Sequence, residues 1–249
     1  MQRYFLDEMP KDNKITITGE DFHHISRVMR MEAGSCIYTV HPDGRTSIST
    51  ITEIKESEAV AEVTEWVKRS VELPADVVVS TGLVKGDKFD YIIQKGTELG
   101  AAGFVPFEAS RSVVKWDRKK GAKKTERWQK IAKEAAEQSH RSRIPFVSEP
   151  VSLTQVIESG KDFDMLLFAF EETAKAGDMS VFYEAVSGLS EGKRLLIVTG
   201  PEGGFSEKEA EQLTKGGFTA CALGPRILRA ETAPLYVLSA VSFYLELKR

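Results

Sequence analysis

A two-part α/β chain, with a small β-rich unit ahead of a larger, mostly parallel sheet, is what the sequence predicts, and three observations carry that expectation. Strand-length runs and a hairpin signal fill residues 1–70. A charged, aperiodic stretch containing Pro74 follows at 68–75 and reads as a linker. From Asp76 onward, apolar strand-like runs alternate with helical periodicity, the pattern of βαβ units. At 249 residues the chain is long enough for one large domain, 76–249, and a small accessory domain, 1–70.

In the first part, residues 14–19 alternate in polarity, 36–40 are strand-like, and His41-Pro42-Asp43-Gly44-Arg45 signals a hairpin turn. Strand-like runs recur at 47–54 and 59–67. A helix over about 20–31 interrupts them and carries Arg27 and Arg30; His23 and His24 are expected to pack or cap it. In the second part, Val77-Val78-Val79 reads as a buried strand, and 87–99 as a helix with Phe89, Ile92, Ile93, Gly96 and Leu99 on one face. Lys95 and Glu98, three apart on that helix, are spaced to pair. The next strand falls at 104–107, then a basic helix at 123–140 whose buried stripe is Trp128, Ile131, Ala132 and Ala135. Further strands are expected at 164–170, 195–198 and 218–223, with no internal repeat or low-complexity tract.

Two loops near the end of the chain stand out. Thr199-Gly200-Pro201-Glu202-Gly203-Gly204-Phe205-Ser206 follows one apolar run and precedes a helix that Ser206 and Glu209 open as a capping box. Leu223-Gly224-Pro225-Arg226-Ile227-Leu228-Arg229-Ala230-Glu231-Thr232-Ala233-Pro234 repeats the logic, with Thr232 as the cap and Pro234 in the first helical turn. In open α/β sheets ligands sit outside the carboxyl ends of strands, so two adjacent loops of this kind suggest one site. Glycines at 200, 203 and 204 allow a ligand to reach the backbone. No Gly-x-x-x-x-Gly-Lys-[Ser/Thr] occurs, and Gly-Pro-Glu-Gly-Gly lacks dinucleotide spacing. Glu202 would repel a polyphosphate but suits a sulfonium or ribose hydroxyls. Either loop taken alone is satisfied by a plain turn with a solvated glutamate.

The net charge of −3 argues against a nucleic-acid partner, but its distribution argues for one. Residues 111–143 hold twelve Lys or Arg against four acids, so this segment is strongly basic while the rest is acidic. A solvated helix face with i,i+4 pairs such as Glu126 with Lys130 is the plainer reading; the glycine loops downstream favour phosphate contact. Cys36, Cys221 and the four histidines show no ligand spacing, so no metal is expected. Neither a leader peptide nor a membrane-length apolar run is visible, which points to a reduced cytoplasmic protein.

Taken together, the two loops resemble the carboxyl-terminal half of the SPOUT methyltransferases, and specifically the RsmE family. Lys95-Gly96-Thr97-Glu98-Leu99-Gly100, Ser110-Arg111-Ser112-Val113, Glu137-Gln138-Ser139 with Arg141 and Pro145, and the early His23-His24-Ile25-Ser26-Arg27-Val28-Met29-Arg30 fall in the family's order, so the resemblance spans nearly the whole chain. It implies S-adenosylmethionine-dependent methylation of N3 of a uridine in small-subunit (16S) ribosomal RNA, free or within the assembled 30S subunit. It further implies a PUA-like barrel that grips RNA, a SPOUT domain with a deep trefoil knot, and a homodimer with no membrane association. On that reading the cofactor meets Phe170, Glu171, Thr199, Gly200, Glu202, Gly203, Gly204, Leu223, Gly224, Ile227 and Leu228.

Arg229 is then the expected stabiliser of charge on the base, because a guanidinium is planar and always charged. Glu231 either receives a proton or orients Arg229, or simply suits a helix N-terminus, where a carboxylate gains only ~0.3–1 kcal/mol. Arg226 and Arg229 equally suit surface ion pairs. Arg27, Arg30, Arg111, Arg141 and Arg143 are the expected RNA contacts. The rival readings are a non-catalytic RNA-binding protein and, more remotely, a nucleotide-dependent oxidoreductase.

Overall fold

The computed structural model describes residues 1–114, 116, 118–175 and 180–247, and the chain divides into two compact units. The first comprises Met1–Glu72 and, returning from later in the chain, Ala136–Arg143; the second comprises Leu73–Ala135 and Ile144–Arg249. The first division falls between Glu72 and Leu73, and the end of the basic helix groups with the first unit. Of the basic stretch, Lys115 and Asp117 lie outside the described residues.

The first unit is a five-stranded mixed sheet in the order β1-β3-β4-β5-β2, from β1 (Arg3–Phe5), β2 (Lys14–Ile17), β3 (Cys36–Val40), β4 (Thr46–Ile54) and β5 (Ala59–Val67). Register shifts between Ile48 and Ser49 and between Ile51 and Glu53 interrupt the β4–β5 ladder, and such irregularities bend and twist paired strands. The expected hairpin forms: His41 N donates to Arg45 O at 2.8 Å. The helix expected at 20–31 is shorter and changes pitch, running as α1 (Gly19–His23) and then as wider π-turns over His24–Val28. His24 Nδ1 lies 2.9 Å from the Tyr4 hydroxyl, so this histidine packs the helix onto the sheet as expected, while His23 is exposed. Tyr4, Ile15, Ile17, Ile25, Ile37 and Ile51 fill the core.

Among the described residues, the second unit has seven strands, every pairing parallel: β6 (Asp76–Gly82), β7 (Gly103–Glu108), β8 (Phe146–Val147), β9 (Val151–Ser152), β10 (Met165–Ala169), β11 (Arg194–Thr199) and β12 (Thr219–Cys221). The main path runs β12-β10-β11-β6-β7-β8, with β9 beside β7. Alternate residues of the central strands face opposite layers. Val77, Val79, Leu195 and Ile197 meet α2 (Lys88–Glu98), α3 (Arg118–Gln138), α6 (Ser180–Gly188) and α8 (Thr232–Ser242). Val78, Leu196 and Val198 meet α4 (Leu153–Ser159) and α7 (Glu207–Lys215). Both faces are covered, which is why these strands read as continuous apolar runs. The stripe on α3 is as expected, with Trp128 and Ala132 fully buried and the Trp128 indole donating to Asp90 at 2.9 Å. One further helix, α5 (Glu171–Lys175), follows β10 directly.

Candidate active site

Because β10, β11 and β12 are parallel neighbours, their carboxyl ends and the loops that leave them share one edge of the sheet. A cavity of about 840 Å³ opens there. Phe170, Glu171, Thr199, Gly200, Glu202, Gly203, Gly204, Leu223, Gly224, Ile227, Leu228 and Arg229 all line it, so the two glycine loops and the end of β10 form one wall system, as the sequence led us to expect.

The first loop is held from behind. Ser206 and Glu209 form the expected capping box on α7, and Glu209, only 6% exposed, also accepts from Ser110 N and Ser110 Oγ at 2.7 Å each. Burial pushes the Glu209 carboxyl up, but these donors outweigh it and hold it below the usual range. The anchored Ser110 delivers Arg111 to the cavity wall, where its guanidinium donates to Gly203 O at 3.2 Å. A Cβ at Gly203 would stand 2.9 Å from Arg111 Cβ, so the close approach of the two segments requires glycine. Thr199 buries its side chain 3.0 Å from Thr81 Oγ1 and lines the cavity.

The second loop turns at Gly224, whose φ of +97° excludes most side chains. Among the described residues, no backbone acceptor takes the N–H groups of Gly224, Ile227 or Leu228, so these donors are open to a ligand. Thr232 is not the cap of α8; it is the first helical residue, and Glu231 occupies the cap position without a side-chain capping bond. The turn closes instead through Thr232 N and Ala233 N, which donate to Arg229 O.

The charged side chains of the two loops meet a partner that the sequence did not single out. Glu202, expected to face a ligand, accepts from Lys85 N at 3.2 Å and from Lys88 Nζ at 3.1 Å. Burial raises this carboxyl, yet backbone donors and the Lys88 ammonium outweigh that and lower it below its usual range. The Lys88 ammonium offsets this charge only in part, because Glu231 shares it. Of the readings left open for Glu231, the place at a helix N-terminus is the one it occupies, and among the described residues its carboxylate pairs with Lys88 at 3.2 Å and not with Arg229. Arg229 is exposed on the cavity wall, and among the described residues its guanidinium makes no ion pair or hydrogen bond. Lys88 went unnoticed in the sequence. Its signal is a lysine at the first position of a helix, where a cation is disfavoured.

Away from the cavity, Arg27 and Arg30 are exposed in the first unit, Arg30 with a φ of +49°. Arg141 must be withdrawn as an RNA contact: it is 2% exposed, and its guanidinium is bound to Glu72. Arg143 donates to the same carboxylate at 3.1 Å but stays half-exposed. Lys95 and Glu98 pair at 2.7 Å, as their spacing suggested.

Residues 71–242 match the RNA methyltransferase domain family. The chain is 49% identical to the ribosomal RNA small subunit methyltransferase E of Bacillus subtilis, an alignment covering 100% of this chain and 99% of that protein. The enzyme of the same name from Synechocystis is 33% identical over 93% of this chain and 74% of its own length. Among solved structures, ribosomal RNA small subunit methyltransferase E from Neisseria gonorrhoeae, bound to S-adenosyl methionine, superposes with a TM-score of 0.85 at 27% identity, covering 98% of each chain. A putative methyltransferase from Legionella pneumophila, in complex with the cofactor SAM, gives 0.85 at 28% identity and 97% of each chain. Matched along its length in sequence and in fold, the chain belongs to the RsmE family of RNA methyltransferases.

Proposed function

We propose that this protein transfers the methyl group of S-adenosylmethionine to N3 of a uridine in small-subunit ribosomal RNA. The observation that carries the reading is the cavity of about 840 Å³ walled by two glycine loops, in a chain whose relatives bind that cofactor at a closely similar fold. The residues fit the group. Backbone donors at Gly224, Ile227 and Leu228 suit the adenine and carboxylate ends, and Phe170, Leu223, Ile227 and Leu228 supply apolar cover. Gly200, Gly203 and Gly204 leave room where side chains would intrude, and Glu171 lies beside them on the wall.

When bound, S-adenosylmethionine supplies an electrophilic methyl on a sulfonium centre. The chain's own contribution is alignment and exclusion of water, since an in-line displacement asks little else of a protein. Uridine N3 would attack well only as its proton leaves to solvent and charge spreads to the flanking oxygens; the N3–methyl bond forms as the sulfur–methyl bond breaks, with S-adenosylhomocysteine leaving. The free Arg229 guanidinium is the group we assign to that charge. Glu231 acts through its contact with Lys88.

Arg27, Arg30, Arg111 and Arg143 are assigned to RNA contact, Arg111 from the cavity wall itself. We assign the trefoil knot and the homodimer to the same reading. The dimer is supported by the large apolar side chains that Tyr183, Tyr236, Phe243 and Leu247 leave exposed. No helix among the described residues is long and apolar enough to cross a membrane; action on ribosomal RNA supports our reading of a cytoplasmic protein. Mapping modified uridines in 16S ribosomal RNA from a strain lacking the protein tests the reading: one N3-methyluridine should vanish and return with the restored gene. An unchanged modification map would overturn it.

A further inference from the structure

We infer that Lys88 is a positioning residue of this site, a brace that holds the two glycine-bearing loops at the spacing the methyl donor needs; the inference rests on the methyl-transfer reading above. Lys88 comes from neither loop. It opens α2, the helix after β6, and its ammonium reaches Glu202 Oε1 at 3.1 Å and Glu231 Oε2 at 3.2 Å while also lining the cavity. Glu202 lies within the first loop, and Glu231 closes the second, immediately before α8. One cation on a third element therefore ties both loops.

Two further features set this contact apart from an incidental surface pair. A lysine at the first position of a helix sits against the positive end of the backbone dipole, and Asp87 before it makes no capping bond. Local preference is thus overridden, as is expected at functional or strained sites. Glu231 Oε2 is buried, and among the described residues the Lys88 ammonium, an ion pair at 3.2 Å, is the charge that meets it. Replacing Lys88 takes away the cation that the two carboxylates share; Glu202 keeps its Lys85 N donor, but the two like charges are no longer offset and repel. The loops should then spread, and cofactor affinity should fall before stability does. The two carboxylates raise the Lys88 ammonium above its ordinary range, so the brace persists through neutral pH.

The test compares Lys88→Met, Lys88→Arg and Glu202→Gln with the natural protein. Calorimetric titration with S-adenosylmethionine alone gives affinity, and thermal unfolding confirms that each variant is folded at the titration temperature. Lys88→Met should weaken binding roughly tenfold or more, equivalent to about 1.4 kcal/mol. Lys88→Arg should recover most of that loss, and Glu202→Gln, which cuts one arm of the brace, should show a smaller one. In the Glu202→Gln/Glu231→Gln background, Lys88→Met should have little further effect, which a residue that merely packs α2 would not show. Affinity within twofold of the natural protein in folded Lys88→Met sinks the inference, as does full additivity with the paired glutamate changes. If the natural protein itself binds no S-adenosylmethionine, the methyl-transfer reading fails instead, so the two failures are distinct.

Discussion

Glu72 Oε2 accepts a hydrogen bond from Arg141 Nε at 3.1 Å, with the arginine side chain only 3% exposed. The other carboxylate oxygen accepts from Ser142 N at 2.7 Å, and Arg3 donates to Arg141 O at 2.9 Å. Late residues of the chain are thereby fastened to early ones within the first unit. Glu72→Ala removes at one stroke the acceptor shared by Arg141, Ser142 and Arg143, whereas Arg141→Ala leaves Glu72 with Ser142 and Arg143; Glu72→Ala should therefore cost about 3 kcal/mol in denaturant unfolding, and Arg141→Ala less. A loss below about 1 kcal/mol would show that the pair is solvated after all.

The same pair sets a pH dependence. Burial raises the Glu72 carboxyl, but the Arg141 hydrogen bonds and charge, with Ser142 N and Arg143, outweigh it and hold it below its ordinary 4.5. A carboxyl depressed by folding contributes stability above its unfolded value and loses it as pH falls through the folded one. Unfolding free energy should therefore drop on acidification below about pH 4.5, and that slope should be shallower in Glu72→Gln, as read by urea titration at a series of pH values.

Gly203→Val should abolish measurable S-adenosylmethionine binding in calorimetry. A Cβ there meets Arg111 Cβ at 2.9 Å and Arg111 O at 3.2 Å, so the first loop or the Arg111 segment must move. Retained affinity would remove Gly203 from the cofactor site.

Arg229→Ala should behave differently, cutting turnover by about 10²–10³-fold while changing cofactor affinity little, because its guanidinium serves charge that develops only in the transition state. Single-turnover methylation alongside calorimetry separates the two. A larger loss in affinity than in turnover would make Arg229 a binding residue.

RNA binding should weaken with salt, with a slope of about −0.7 per phosphate contacted on a single strand. Replacing exposed Arg27, Arg30 or Arg111 by alanine should each flatten that slope by about one such step, measured by filter binding across salt concentrations. A conservative Arg141→Lys change should leave it unaltered, since that side chain is buried.

Much of this was legible in the residues themselves. The Ser206–Glu209 capping box, the hairpin at 41–45, the Trp128 stripe and the strand at 59–67 rest on local patterns, and the structure has each of them. Convergence of the two glycine loops was also readable, because parallel strands must release their loops at one edge. The misplacements have a common origin. Thr232 looked like a cap because its residue type suits one, yet the turn closed through Arg229 O and left Glu231 in that position.

What the sequence by itself determined is the order and kind of elements, the loops that meet at the sheet edge and the family to which they belong, since these follow from periodicity, turn chemistry and motif order along the chain. Only the tertiary structure decided which charges are free and which are matched. Arg141 against Glu72, and Lys88 between Glu202 and Glu231, are partners separated by 69 to 143 residues along the chain, and no local pattern encodes a contact made only when the strands and helices have packed.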